Sequence, residues 1–585
     1  MENESLLHRP RPLQPHQEQH DGNEITDNIL FPAASPSLFD PDYIPTRTKP
    51  SLRTFDESDW AILVLILSIV FCIGVRWHFA PISFTALFWP GETVKSIGSL
   101  VQSHNFAVFL TFLVLIMVTT WSVLRHGRSV YVLDHICWQP PNHAKVPHDL
   151  FIQKATASGA FSEESLNFQK FLLNHNGLSD ETYLPPLCFD PHHPLRSAID
   201  EATTGIFSAL DLLFSEHASF DPRRDLDLLI VSCASFTVQP SICARIANRY
   251  KLKPSHRAYE LSGMGASGGM LGIDLANEIM LSRDNLHAVV VSTDNCCSNF
   301  YFGDQHDYLV ANTMWRWGVS AALLSNTSKS RQTARYKLLK SIRTNCAFND
   351  SCFSSIQNEE DEFGQVGLRL SRTLRKPMGV ALRMNINQLC PYIIGAQDQL
   401  LMTLNRMLSL FSNAPQRKKR YTINFTKYIN HFCIHAGGLK LIADIKHNLH
   451  LNDEQISPPL STLFRYGLLS GSSQWYQLAL LERKKKINRG DKIWQLSYGS
   501  GFVVVSATWL ALKGSEREPL GQVWPEALED PEYDYVKAYR EWSAQVQRSN
   551  SVHPESHESS SLSMYINEPD VRLRNSDGII LIPVS

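Results

Sequence analysis

The stretch "SGMGASGGMLGIDLANEIM", from Ser262 to Met280, decides how the chain is read. Gly263, Gly265 and Gly268 crowd the start of a helix, and Gly269 follows. Glycines in that position let a ligand or another backbone approach closely, or hold one side chain at a sharp corner over a helix N-terminus. The residue at the corner is Ala266, which carries no reactive group. The helix beyond it is apolar nearly all round (Met270, Leu271, Ile273, Leu275, Ala276, Ile279, Met280), so burial is expected.

Two chemistries fit such a corner. Gly263-x-Gly265-x-x-Gly268 matches the dinucleotide fingerprint, which needs a buried strand before it and an acid about 20 residues on. Asp294 ends the next strand, but the preceding "SHRAYEL" is short and polar. The competing reading is a nucleophile elbow, where helix-end N–H groups and the macrodipole stabilise a thiolate. On that reading, which the sequence favours, the cradle persists and Ala266 marks a missing occupant.

Outward from this helix the pattern alternates. "LDLLIVSCASF" (226–236) and "LHAVVVSTD" (286–294) are β-branched runs of the kind buried in a covered parallel sheet, with helices expected over Ser241–Tyr250 and Ser267–Leu281. "KYINHFCIHAGGLKLIADIKHNL" and "DKIWQLSYGSGFVVVSATWLALK" repeat the alternation, giving a layered α/β body from about 150 to 512.

The 585 residues balance 55 basic against 57 acidic side chains, a net charge of −2, so no global field argues for nucleic acid. Eleven cysteines without a CxxC pair indicate neither a zinc ribbon nor a disulfide framework; reduced thiols in a cytosol-facing body are expected. Residues 1–58 read as a disordered tail without the apolar segment of a cleaved signal peptide. Residues 59–125 read as a membrane anchor, from the uncharged runs Trp60–Val75 and Phe106–Leu124, with helices at about 60–77 and 106–124. Arg47, Lys49 and Arg53 before the pair, and Arg125 and Arg128 after it, put the tail and the body in the cytosol. From 513 to 585 the chain turns polar and is expected to be largely flexible.

"HFCIHAGG" (431–438) places His431 and His435 four apart. A zincin needs Glu directly after the first His, and Phe432 stands there, so no metal is expected. His431 reads as a core histidine. His435, beside Ala436-Gly437-Gly438, has room for a substrate and could donate to a thioester or enolate oxygen. In "YGSGF" (498–502), Gly499 and Gly501 form a tight turn whose amides line a pocket, or an ordinary turn. Neither a P-loop nor a Gly-x-Ser-x-Gly hydrolase elbow in convincing context is found.

Eight motifs in order, "RSVYVLDHICWQPP" (128–141), "GLSDETYLPP" (177–186), "ALDLLF" (209–214), "VSCASFTVQPSICARIANRYKL" (231–252), "GMGASGGMLGIDLA" (263–276), "VVVSTDNCCSNFYFG" (289–303), "HFCIHAGG" and "YGSGF", resemble the plant very-long-chain 3-ketoacyl-CoA synthases, the condensing enzymes of endoplasmic-reticulum fatty-acid elongation. The resemblance runs from roughly 55 to 512 and implies a thiolase-like fold of two similar layered α/β halves, at 126–335 and 336–512, preceded by two transmembrane helices. It implies an endoplasmic-reticulum membrane protein that forms a homodimer, or a heterodimer with active relatives, and works beside other elongase components. No cofactor is implied; the family's substrates are long-chain acyl-CoA and malonyl-CoA.

The same resemblance exposes losses. The family carries "GMGCSAG", whose cysteine takes the acyl chain; this chain has "GMGASGG", with Ala266 there. The family's asparagine, in a stretch like "RFGNTSSSSxWYEL", corresponds to Leu468 in "RYGLLSGSSQWYQL" (465–478). Two further family histidines correspond to Phe464 and Asn345. Of the Cys-His-Asn trio only His435 remains, with His431 also retained and Gly265, Gly268, Gly499 and Gly501 matching the substrate pocket. Condensation needs a covalent acyl-enzyme followed by attack of a malonyl-derived carbanion. The expectation is therefore a non-condensing partner or acyl-CoA-binding regulator. The alternatives are an active synthase with another nucleophile, Cys233, Cys296 and Cys297 being nearest in sequence, and, distantly, a dinucleotide-dependent oxidoreductase.

Overall fold

The computed structural model describes residues 129–404 and 424–525 apart from four single positions, together with residues 114, 539, 540 and 544. The expected N-terminal tail and both apolar runs, Val114 apart, lie outside the described residues, as does the chain from 545 on. All described residues belong to one compact unit, Ser83–Ser585. No helix among them is long and apolar enough to cross a membrane.

Eleven strands form: β1 (Tyr131–Trp138), β2 (Leu228–Cys233), β3 (Arg257–Leu261), β4 (His287–Thr293), β5 (Val319–Ser325), β6 (Tyr336–Asn345), β7 (Ile356–Glu360), β8 (Val366–Leu370), β9 (His431–Ile434), β10 (Lys492–Gly499) and β11 (Val503–Ala511). Nine make one sheet in the order β3-β2-β4-β5-β1-β6-β11-β10-β9; β7 and β8 form a separate hairpin. The order is nearly a palindrome. In the first half β2 lies parallel to β4, and β4 and β1 flank β5 antiparallel. In the second half β9 lies parallel to β10, and β10 and β6 flank β11 antiparallel. The halves meet where Tyr131 faces Lys337 and Val132 faces Tyr336. β2 is buried throughout and β4 from Ala288 on, as covered central strands must be.

The helices complete the layers: α1 (Leu195–Ser215), α2 (Ile242–Tyr250), α3 (Gly268–Ser282), α4 (His306–Met314), α5 (Arg375–Ile393), α6 (Leu439–Leu449), α7 (Asp453–Tyr466) and α8 (Ser473–Arg483). Helix α1 covers β1 and β5, and α5 covers β6 and β11. Between them, α3 packs on β2 and β4 of its own half and on β6, β10 and β11 of the other, while α8 packs on β9, β10 and β1. The middle position explains the composition of both helices. Residues 473–482 of α8 are all buried, and α3 buries Gly268–Asp274, Ala276 and Met280. A side chain such as Trp475, fully enclosed, contributes roughly 1.5–3 kcal/mol of apolar transfer. Where the halves join, Arg335 bridges Asp134 and Glu482, each at 2.9 Å, so the buried charges are paired.

Residues 513–525 depart from the expected flexible tail. Leu520 bridges Ile136 in parallel, the Trp524 indole donates to the Tyr476 carbonyl at 2.9 Å, and Arg517 reaches Asp134 at 2.8 Å. Val523 and Trp524 are buried among Tyr466 and Tyr476, so the segment straps β1 of the first half to α7 and α8 of the second. Its apolar residues are too sparse for a periodic signal, yet each fills a specific site.

Candidate active site

The corner at Ala266 is a 3-10 turn, Gly265–Ser267, that runs directly into α3. Gly265 has φ +53°, and a Cβ there would also stand 2.8 Å from the Ser500 amide nitrogen. That combination restricts the position to glycine. Ala266 is 9% exposed, at the rim of burial, above the N-terminus of α3. Its carbonyl accepts from Ser497 Oγ at 2.7 Å, which locks the turn to β10.

The turn after β10 packs against this corner. A Cβ on Gly499 would meet the Met264 carbonyl oxygen at 2.3 Å, the Ser267 nitrogen at 2.7 Å and the Ala266 nitrogen at 2.9 Å. Ser500 Oγ donates to the Gly263 carbonyl at 3.0 Å. Gly501, with φ +116°, turns the chain into β11. The "YGSGF" turn and the glycine-rich corner, more than 200 residues apart in sequence, are thus two faces of one construction.

His435 follows β9 and is 4% exposed. Its Nδ1 lies 3.1 Å from Ser473 Oγ at the start of α8, its amide donates to the Leu496 carbonyl at 2.8 Å, and Tyr498 stands edge-on to its ring at 4.9 Å. Burial drives its pKa down to about 3, so at neutral pH the imidazole is uncharged. A neutral imidazole can offer a hydrogen bond to a carbonyl oxygen without bringing a charge.

Leu468 is 4% exposed and held by its main chain: its amide donates to Met314 at 3.0 Å and its carbonyl accepts from Arg316 at 3.1 Å. The backbone therefore fixes position 468 whatever side chain it bears, and the isobutyl group supplies no donor. Phe464, on α7, is partly buried, with its carbonyl accepting from Ser179 at 2.8 Å. Asn345 is exposed at the end of β6, its Oδ1 accepting from the Ala347 amide at 2.9 Å.

His431 does not converge with His435. His431 opens β9 and His435 follows its last residue, and four steps of strand separate them by roughly 13 Å at about 3.3 Å per residue. His431 instead sits 3.0 Å from Asp491. Among the described residues no group of three or more His, Cys, Asp or Glu could hold a metal ion.

Two sequence alternatives meet physical objections. For a dinucleotide, the glycines would have to leave space. A Cβ on Gly268 would lie 2.2 Å from Ser232 Oγ, and one on Gly269 would lie 2.2 Å from the Gly471 carbonyl oxygen, so protein already fills that volume. The strand before the corner, β3, is the sheet edge, and Asp294 is buried, accepting from the Ser235 and Asn295 amides. For a substitute nucleophile, Cys233, Cys296 and Cys297 are all buried, and burial pushes the thiols of Cys233 and Cys296 well above the ordinary range. A reactive cysteine needs the opposite environment.

Sequence reasoning missed the partner of His435. Ser473 stood inside a serine-rich run with no feature to single it out, and only the folded start of α8 brings it to the ring.

Comparison with known proteins now fixes the family. Residues 122–410 match the family described as FAE1/Type III polyketide synthase-like protein, and residues 425–510 match the 3-oxoacyl-[acyl-carrier-protein] synthase III C-terminal domain. Arabidopsis thaliana 3-ketoacyl-CoA synthase 4 is 35% identical over 72% of this chain and 81% of its own length; 3-ketoacyl-CoA synthase 9 of the same plant is 37% identical over 69% and 78%. The chain belongs to the 3-ketoacyl-CoA synthase family. Its fold is thiolase-like: a fungal type III polyketide synthase superposes with a TM-score of 0.50 at 14% identity, covering 65% of this chain and 99% of that one. The family is one of fatty-acid elongation, and the elbow at Ala266, the YGSGF turn and His435 all lie within the residues that the two family models match.

Proposed function

We propose that this protein is a non-condensing member of the elongation system: a partner or regulatory subunit that binds acyl-CoA without joining carbon to carbon. The observation that carries the reading is a fully built elbow with a methyl group at its corner. Gly265, Ser497, Gly499 and Ser500 hold Ala266 in place, and that residue can neither ionise nor accept an acyl chain. Leu468 removes a hydrogen-bond donor as well; losing one such donor costs roughly 2.7–4 kcal/mol of transition-state stabilisation where measured.

In this reading the body faces the cytosol from the endoplasmic-reticulum membrane, as the family resemblance implies, with the apolar runs at 60–77 and 106–124 as its anchor and the flanking basic residues in support of the orientation. It acts as a homodimer, or as a heterodimer with an active relative, beside other elongase components. The test is an elongation assay with purified protein, long-chain acyl-CoA and malonyl-CoA. No 3-oxoacyl product is expected from this chain alone; a product at the rate of an active relative would show that another group does the chemistry.

A further inference from the structure

The His435 ring makes one hydrogen bond among the described residues, between Nδ1 and Ser473 Oγ at 3.1 Å. Which of the two atoms gives the proton decides which nitrogen of the neutral ring carries its hydrogen. Ser473 settles the choice. Its side chain is fully enclosed, and its hydroxyl has no second partner among the described residues. A hydroxyl has one proton to place and two lone pairs to spare. If Nδ1–H donated, the serine proton would be buried with no acceptor, which is the costly arrangement. If Ser473 donates, its proton is met, Nδ1 accepts, and the hydrogen of the ring sits on Nε2.

That tautomer puts a donor next to the corner. His435 follows Ile434, which lies opposite Leu496, so the next residue of β10 in register is Ser497. Ser497 Oγ donates to the Ala266 carbonyl at 2.7 Å. On the α8 side, a Cβ on Gly471, two residues before Ser473, would lie 3.5 Å from the same carbonyl oxygen. The strand neighbour of His435 and the turn that leads to Ser473 therefore both border Ala266. Nε2 bonds to none of the described residues, and Leu468 brings no donor of its own.

We propose that Ser473 is a positioning residue: by donating to Nδ1 it holds His435 as the Nε2–H tautomer, whose hydrogen bond goes to the carbonyl oxygen of a bound acyl thioester. The serine itself touches no ligand and acts through the ring. The choice of ligand rests on the acyl-CoA reading given above; the tautomer rests on Ser473 alone.

The first test is spectroscopic and needs no ligand. The full chain, isotopically labelled at its histidine ring nitrogens and held in lipid nanodiscs, gives a pair of signals for each ring. The pair lost in His435→Gln belongs to His435. Its Nδ1 should resonate as an unprotonated nitrogen and its Nε2 as a protonated one. Ser473→Ala should turn this pattern into a mixture of tautomers, and Ser473→Thr, which keeps the hydroxyl, should retain it. A proton on Nδ1 in the wild type, or an Nε2–H tautomer untouched by Ser473→Ala, would overturn the proposal.

The second test compares two ligands of equal chain length, hexadecanoyl-CoA and the thioether S-hexadecyl-CoA, which lacks the carbonyl oxygen. The wild type should bind the thioester more tightly by a factor of up to roughly ten, the worth of one hydrogen bond. Ser473→Ala should bring the two affinities together by weakening only the thioester. Equal weakening of both ligands would give Ser473 a structural role alone and overturn the proposal, and equal affinities in the wild type would overturn the thioester assignment. Binding of neither ligand would overturn the acyl-CoA reading and the thioester assignment with it, while the ring signals still decide the role of Ser473.

Discussion

The two halves of the sheet each deliver a 3-10 turn into a buried helix, and the two turns are built alike. Gly265–Ser267 leads into α3, and Ser470–Ser472 leads into α8. Each opens on a left-handed residue, Gly265 at φ +53° and Ser470 at φ +49°. They differ in what they face. At the first turn Ala266 looks out at the rim of burial, gathered around by Gly499 and Ser500. At the second the matching residue is Gly471, pressed so close to α3 that a Cβ would lie 2.8 Å from the Gly269 nitrogen. One turn presents a side chain; the other closes the interior. A fold of this kind can vary the side chain at the first turn without disturbing the contact between the two helices, because that contact is made at the second.

That contrast can be broken at its tightest point. Gly269→Ala would put a Cβ 2.2 Å from the Gly471 carbonyl oxygen, a backbone atom that cannot step aside. We expect a loss above the usual 1–3 kcal/mol for overpacking, seen as a collapse of the thermal midpoint or insoluble protein. Ala266→Cys should cost less than about 1 kcal/mol, since the side chain stands at the rim. Wild-type stability in Gly269→Ala would show that the helices do not meet as described.

Chemistry sharpens the comparison next. Because the main chain fixes position 468, Ala266→Cys with Leu468→Asn should condense roughly 10²–10³-fold faster than Ala266→Cys alone, the worth of one oxyanion donor. Equal rates would mean that 468 does not face the reacting oxygen.

A third effect is pH dependence at His435, whose ring lies against Ser473 directly after the second turn. Its folded pKa, about 3, lies below the ordinary 6.5. Between those values the unfolded chain binds the proton and the folded chain does not. Stability therefore falls as pH drops from 6.5 toward 3, by at most about 1.4 kcal/mol per pH unit. His435→Gln should flatten that slope in denaturant titrations, against a background that still contains His135, also lowered to about 3. An unchanged slope would mean the ring is solvated.

The smallest effect lies at Ser470. Its hydroxyl bonds to Asp294, and its φ is costly for any residue with a Cβ. Ser470→Gly loses the bond and the strain together, whereas Ser470→Ala loses only the bond. The glycine variant should be the more stable of the two by about 1 kcal/mol. The reverse order would remove the parallel between Gly265 and Ser470.

Much of this fold was legible as pattern. The runs at 226–236 and 286–294 contain β2 and β4, and the helices expected at 241–250 and 267–281 are α2 and α3 within a residue. β2, β4 from Ala288 on and the first turns of α3 are buried on all sides, so composition alone marks them, and α2 shows through the spacing of its buried Ile242, Cys243 and Ile246. The corner at Ala266 was legible because glycine spacing is a local constraint. The matching turn at Ser470 was not, since one turn is glycine-rich and the other serine-rich, and only topology relates them. His431 and His435 looked like a pair because four residues make one helical turn; on a strand the same spacing parts them. The strap at 513–525 escaped notice because its few apolar residues have no period to read.

The central claim is that the elbow is intact and lacks only its nucleophile. Intact-protein mass spectrometry after brief exposure to a long-chain acyl-CoA tests it most directly. The wild-type chain should keep its mass, and folded Ala266→Cys should gain one acyl group on that residue. An acyl adduct on the wild type, or none on the folded variant, would contradict the account.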